Sequence, residues 1–192
     1  MATFFTSDHH FGHANIISYC DRPFDSVEEM DRVLIERWNE VVTDENIVYH
    51  LSDFTLSDRK VFRSYLSQLN GAIRILSNPW HHDRRWLPKR LGLYPGWNSA
   101  SGIPIFLLPP LHVLEILELG HDGYPLAISL CHYPLSQWDR KHYGAWHLHG
   151  HCHGTYQAEG KILDVGVDNC NFYPIGLERI AILMEGPKCL PM

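Results

Sequence analysis

The sequence predicts a mixed α/β domain, and three observations carry that expectation. Short runs rich in β-branched and aromatic residues, such as Thr3-Phe4-Phe5-Thr6-Ser7 and Ile47-Val48-Tyr49-His50-Leu51, read as strands. Between them lie segments whose apolar residues recur at helical spacing; Met30, Val33, Leu34, Trp38 and Val41 form the clearest. The chain has 192 residues, 45% hydrophobic and 20% charged, the size and composition of one globular domain with its own core.

Composition narrows the function classes. No run approaches the roughly 20 apolar residues of a membrane span. The first residues lack a basic stretch followed by an apolar one, so no secretory signal is expected. A formal charge of -6 argues against a broad surface for long nucleic acid. It leaves room for a small phosphate ester, because bound cations can supply local positive charge. Five cysteines (Cys20, Cys131, Cys152, Cys170, Cys189) form an odd set with no C-x-x-C pair and are expected as free thiols in a reducing cytoplasm. Oligomeric state has no signature in the sequence.

In chain order, the first strand runs into Asp8-His9-His10-Phe11-Gly12-His13. Asp8 and His10 stand two apart, which puts a carboxylate and an imidazole on one face of an extended chain. His9 points the other way, and His13 leads into a helix. Ser26-Val27-Glu28-Glu29 is a capping-box pattern that opens a helix over about 26–42. The strand over 47–51 ends in Ser52-Asp53, a second carboxylate at a strand exit. Ser57-Asp58 opens a helix through Val61, Tyr65, Leu66 and Leu69, closed by the turn signal Asn70-Gly71.

Ala72-Ile73-Arg74-Ile75-Leu76 is a third strand and leads to Ser77-Asn78-Pro79-Trp80-His81-His82-Asp83-Arg84-Arg85. His81 and His82 are candidates to give a proton to a leaving group, and Arg84 and Arg85 to grip phosphate oxygens. Residues 91–101, with Pro95-Gly96, are expected as loop. Runs over 103–108, 111–119 and 126–130 read as three further strands, with turns at Pro109-Pro110 and His121-Asp122-Gly123. The last of them exits into His132. Trp138, His142, Tyr143 and Trp146 supply either a substrate wall or packing. Residues 161–168 read as strand then turn, with Asp164 and Asp168 holding loops, and Ile180–Met184 as a final strand.

The stretch His147-Leu148-His149-Gly150-His151-Cys152-His153-Gly154 places four histidines at alternate positions. Four such residues in a strand would span roughly 20 Å at about 3.3 Å per residue. Paired metal ions lie only about 3.5–4 Å apart. Two neighbouring histidines therefore suffice, and His151 and His153, after the glycine, are favoured. His149 is expected to face substrate or support a ligand, His147 to pack, and Cys152 to point away from the metal.

Five strand exits thus end in ligand-type residues: Asp8 and His10, Asp53, Asn78, His132, and His151 with His153. Seven nitrogen and oxygen donors exceed the four of a closed zinc site and suit two divalent ions.

In this order the chain resembles the calcineurin-like metallophosphoesterases, whose pattern is D-x-H, G-D, G-N-H-[DE], a lone H, and G-H-x-H. The matching residues are Asp8-His9-His10, Ser52-Asp53, Ser77-Asn78 with His82-Asp83, His132, and Gly150-His151-Cys152-His153. The resemblance covers about residues 8–153 and is nearest to small single-domain bacterial and phage members. It implies a two-sheet β-sandwich flanked by helices. It also implies one ion on Asp8, His10, Asp53 and His153, and a second on Asp53, Asn78, His132 and His151, with Asp53 bridging. Manganese is the first expectation for both ions, with iron, zinc and nickel also admitted.

The implied reaction is phosphoester hydrolysis by water activated between the ions, on a small phosphodiester such as a cyclic nucleotide; the alternatives are a phosphomonoesterase or nuclease of the same family, or a catalytically inactive binding scaffold. The sequence departs from the pattern at Ser52 and Ser77, where the family has glycine. It departs again where Pro79-Trp80-His81 separates Asn78 from His82-Asp83. The acid is therefore His81 or His82, with His82 preferred because Asp83 follows it.

Overall fold

The structure is a computed structural model and describes residues 1–79, 81–121, 123–156 and 159–185. Trp80 of the inserted loop, Asp122 of the expected turn and the thiol Cys189 lie outside the described residues.

In chain order the elements are β1 (Thr3–Thr6), α1 (Asn15–Tyr19), α2 (Val27–Val41), β2 (Ile47–His50), α3 (Arg59–Leu66) and β3 (Ala72–Leu76). There follow β4 (Gly92–Asn98), β5 (Pro104–Leu108), β6 (Leu111–His121), β7 (Tyr124–Cys131), β8 (Trp146–His149), β9 (Ile162–Asp164), β10 (Ile175–Gly176) and α4 (Leu177–Glu185). They form two sheets, of order β10-β1-β2-β3-β5-β4 and β6-β7-β8-β9, flanked by helices. In the first, β1, β2, β3 and β5 run parallel, with antiparallel edges. In the second, β7, β8 and β9 run parallel.

Strand alternation divides the apolar side chains between two cores. Val48, Ile73, Ile75, Ile105 and Leu107 meet Leu34 and Trp38 of α2 and Phe62 and Leu66 of α3. Phe5, Tyr49 and Leu76 turn to the opposite face and meet Ile128, Leu130 and Leu148 of the second sheet. This period-two split is what lets one sheet bury both faces. The helix starts expected at Ser26 and Asp58 are real: Ser26 Oγ accepts from Glu29 N at 3.1 Å, and Asp58 accepts from Lys60 N and Val61 N at 2.9 and 3.1 Å.

Two expectations are overturned. Ile180–Met184 is not a strand but the middle of α4. Leu177, Ile180, Ala181 and Met184 face the second core at helical spacing, while Ile182 and Leu183 are exposed. Those two exposed apolar residues hid the helical period. The expected loop over 91–101 contains β4, an edge strand whose register slips between Tyr94 and Asn98 around Pro95. A proline is tolerated there because an edge strand has one unpaired side.

A candidate dinuclear metal centre

Parallel pairing aligns the exits of the strands. Thr6 stands opposite His50 and His50 opposite Ile75, so the residues after β1, β2 and β3 emerge together. The exits of β7, β8 and β9 join them: Gly150 N after β8 donates to His132 O after β7 at 3.0 Å, and Val167 N after β9 to Ser7 O at 3.1 Å.

The expected ligands converge. Donor atoms of Asp53, His81, His132 and His151 all lie within 4.8 Å of one another, as do those of Asp8, His10 and His153, and those of His10, Asp53 and His82. Asp53 is the hinge of the arrangement. Its carboxylate lies 2.6 Å from His81 Nδ1, 3.4 Å from His132 Nε2, 3.7 Å from His10 Nε2 and 3.9 Å from His82 Nε2. Asn78 is buried, and its Nδ2 donates to the Tyr133 hydroxyl at 3.3 Å. The Tyr133 ring lies 4.7 Å from that of His151 and 5.0 Å from that of His132.

The route to this convergence differs from strand alternation. β1 ends at Thr6 and β8 at His149, before the ligands. Asp8, His10, Ser52, Asp53, His151 and His153 all take left-handed backbone, with φ of 61, 54, 86, 57, 69 and 46°. Such conformations cost about 1–3 kcal/mol each in residues with a side chain and gather at functional sites. His151 and His153 accordingly do not face one point. His151 joins Asp53 and His132, whereas His153 joins Asp8 and His10.

The centre fits cations by its unmet needs. Both ring nitrogens of His10 and Nε2 of His132 are buried without a hydrogen-bond partner among the described residues. Burial, with the nearby Asp53 charge, pushes the Asp8 carboxyl up to about 6. Burial acts the same way on Asp53, but His132 and His81 outweigh it and hold that carboxyl well below its ordinary range. His132 rises to about 9, since Asp53 and Asp8 overcome its burial. His10 and His151 are lowered, mainly by burial. Buried carboxylates and imidazoles of this kind are a hard-to-borderline donor set for divalent metals.

Three supports were not read as such in the sequence. Asp83, fully buried, accepts from Ser52 Oγ, Asp53 N, Phe54 N, Thr55 N and Trp86 Nε1 at 2.8, 2.9, 3.0, 3.3 and 2.9 Å. Arg22 grips Asp168 through two bonds of 2.8 and 2.9 Å and donates to the carbonyls of Asp8 and His9 at 2.7 and 3.0 Å. Asp168 in turn lies 2.6 Å from His153 Nδ1, which fixes that ring and raises its pKa against burial. Tyr133 follows His132 directly, and that adjacency was its only signal.

The remaining candidates fall into place around this set. Asp164 holds the backbone of Gly154 and Gly166, as expected of a loop-fixing residue. His9 points away and shares a 3.0 Å contact with His50 beneath the centre. Cys152 belongs to none of the donor groups found among the described residues. His147 packs, with Nδ1 on Ser129 O. His149 is also buried at 2% exposure, against His147 and Tyr156, and has no open face for substrate. Arg84 and Arg85 are exposed on the 3-10 turn His82–Arg85, beside the centre rather than in it. Trp138 and Trp146 are packing: Trp138 donates to Ala145 O at 2.9 Å and Trp146 is buried in the second core. No helix is long and apolar enough to cross a membrane among the described residues.

No family model matches the chain. The crystal structure of AQ665, a protein of unknown function from Aquifex aeolicus, superposes with a TM-score of 0.63 over 95% of this chain and 98% of that one. At 21% identity that likeness is one of fold. The uncharacterized protein MJ1445 of Methanocaldococcus jannaschii is 34% identical over 191 residues, 95% of this chain and 90% of its own. At that identity and coverage, the chain belongs to the family of MJ1445.

Proposed function

We propose that this chain is a metal-dependent phosphoesterase of the calcineurin-like type, with that family's two-sheet fold, acting on small phosphodiesters. The single observation that carries the reading is Asp53, whose carboxylate lies within 3.9 Å of four histidine nitrogens from three segments and adjoins both donor groups. Asp8, His10, Asp53 and His153 would hold one ion, and Asp53, Asn78, His132 and His151 the other. Divalent ions held by these residues, manganese first, would supply hydroxide at neutral pH and would neutralise phosphoryl charge.

The chain's own residues do the rest. Arg22 and Asp168 lock His153, and Asp83 locks the Asp53 loop, so the donors need no reorganisation when substrate arrives. Tyr133 walls the His132–His151 side of the opening. His82 carries the proton for the departing oxygen. Its ring is about one-third exposed and lies over His10, whereas His81 is tied to Asp53 at 2.6 Å. Burial and neighbouring imidazoles lower the His82 pKa. An arriving phosphate anion opposes that shift and charges the ring when it is needed. Arg84 and Arg85 receive the outer phosphate oxygens. The thiols at Cys20, Cys131, Cys152 and Cys170 are free, which suits a cytoplasmic protein.

The test is metal-reconstituted protein assayed with bis(p-nitrophenyl) phosphate and p-nitrophenyl phosphate. Turnover of the diester above the monoester, lost in His82→Ala, is expected. Inert protein that nevertheless holds metal would instead support a binding scaffold.

A further inference from the structure

Charge is segregated in this chain. Residues 59–114 contain eight of the 16 Lys and Arg and one of the 22 Asp and Glu, in a protein whose formal charge is -6. That one acid, Asp83, is buried beneath the centre. Three of the cations, Arg59, Lys60 and Arg63, project from one side of α3 into a groove of about 790 Å³ floored by Trp97. Two are held in place. Arg59 Nε donates to Trp86 O at 3.1 Å with its guanidinium 6.0 Å above the Trp97 ring. Arg63 donates through one nitrogen to Gly96 O at 2.9 Å. Their other N–H groups, and the Lys60 ammonium, have no partner among the described residues. No carboxylate lines the groove.

A chain of buried contacts links the groove to the candidate metal centre. Trp86, whose carbonyl holds Arg59, donates from its indole to Asp83, the clamp of the Asp53 loop. Between Trp86 and the centre runs the turn His82–Arg85, four residues of 3-10 helix that rise about 8 Å in all. Exposed Arg84 and Arg85 lie on it.

We propose that this face is a phosphate track for a single-stranded oligonucleotide whose backbone runs from the Arg59–Lys60–Arg63 groove past Arg84 and Arg85 to the metal centre. The direction of the track rests on the phosphoesterase reading; the binding of the strand does not. A row of cations beside an aromatic ring, two of them held in place here, is the usual means of holding a strand without reading its bases. A single strand fits better than a duplex, because Asp53 is recessed and only an unpaired backbone bends down to it.

The experiment is fluorescence anisotropy of the whole protein with a fluorescein-labelled 12-mer of deoxythymidylate, between 50 and 300 mM salt. Wild type is expected to bind, with affinity falling steeply as salt rises. Lys60→Glu/Arg63→Glu is expected to bind at least tenfold more weakly. Loss of two phosphate contacts makes the log-log salt slope shallower by about 1.4. Lys161→Glu/Arg179→Glu, the same charge change outside the basic segment, is expected to bind like wild type. Circular dichroism establishes that each variant is folded. No binding by wild type, equal losses in both double variants, or tighter binding of a polyglutamate peptide overturns the track. Failure of wild type to hydrolyse bis(p-nitrophenyl) phosphate overturns the phosphoesterase reading and leaves the binding result standing.

Discussion

Asp83 Oδ2 accepts the hydroxyl of Ser52 at 2.8 Å across 31 residues of chain. That bond accounts for a serine at φ 86°, a backbone position where glycine is usual. The strained Ser52 fixes the turn that aims Asp53, and Asp83 secures the turn with three more hydrogen bonds while its Oδ1 also accepts from the Trp86 indole. The carboxylate that follows the proposed acid in sequence is thus part of the frame of the centre.

Asp83→Ala leaves five buried donors without an acceptor. Unfolding stability is expected to fall by about 3 kcal/mol or more, with a weaker hold on metal. Chemical denaturation of metal-free protein measures the first quantity, and titration of Mn²⁺ into folded protein the second. A neutral substitution would show that Asp83 does not hold the Asp53 turn.

Gly150 lies against the first carboxylate. A Cβ there would stand 2.3 Å from Asp8 Oδ2 and from Ser7 Oγ, and 2.7 Å from Ser7 Cβ. His151 N, the next amide, donates to both Asp8 oxygens at 3.1 and 3.0 Å. Gly150→Ala must therefore displace Asp8, at a cost of about 1–3 kcal/mol. Mn²⁺ affinity is expected to drop at least tenfold, read by competition with a fluorescent chelator.

The metal-free protein carries a pH signature. His132, raised to about 9, and His153, raised by Asp168, titrate higher when folded than when unfolded, where the value is 6.5. Their stabilisation is complete below pH 6.5 and is lost as pH rises through the folded values. Melting temperature in chelator is expected to fall between pH 6.5 and 9. Bound cations replace those protons, so saturating Mn²⁺ is expected to flatten the decline. A chelated protein with a melting temperature flat or rising over that range contradicts the assignment.

Much of the candidate site was legible because its expected ligands sit at strand exits, where a polar pair interrupts an apolar run. Asp8, His10, Asp53, His132, His151 and His153 show that break directly. What the sequence hid was how the exits turn: alternation put His151 and His153 on one face, but left-handed backbone separates them. The supports were hidden for a different reason. Arg22 reaches Asp168 across 146 residues, and Asp83 reaches Ser52 across 31, separations that no local pattern encodes. In the fold, α4 was masked by exposed Ile182 and Leu183, and β4 by a proline that only an edge strand tolerates.

Asp53 is proposed to join two ions. Equilibrium titration of metal-free protein with Mn²⁺, checked by elemental analysis after desalting, is expected to give two ions per chain. Folded Asp53→Asn is expected to lose tight binding at both positions, with its hydrolytic activity. Wild type that takes up no ion, or Asp53→Asn that still binds two and turns over substrate, contradicts it.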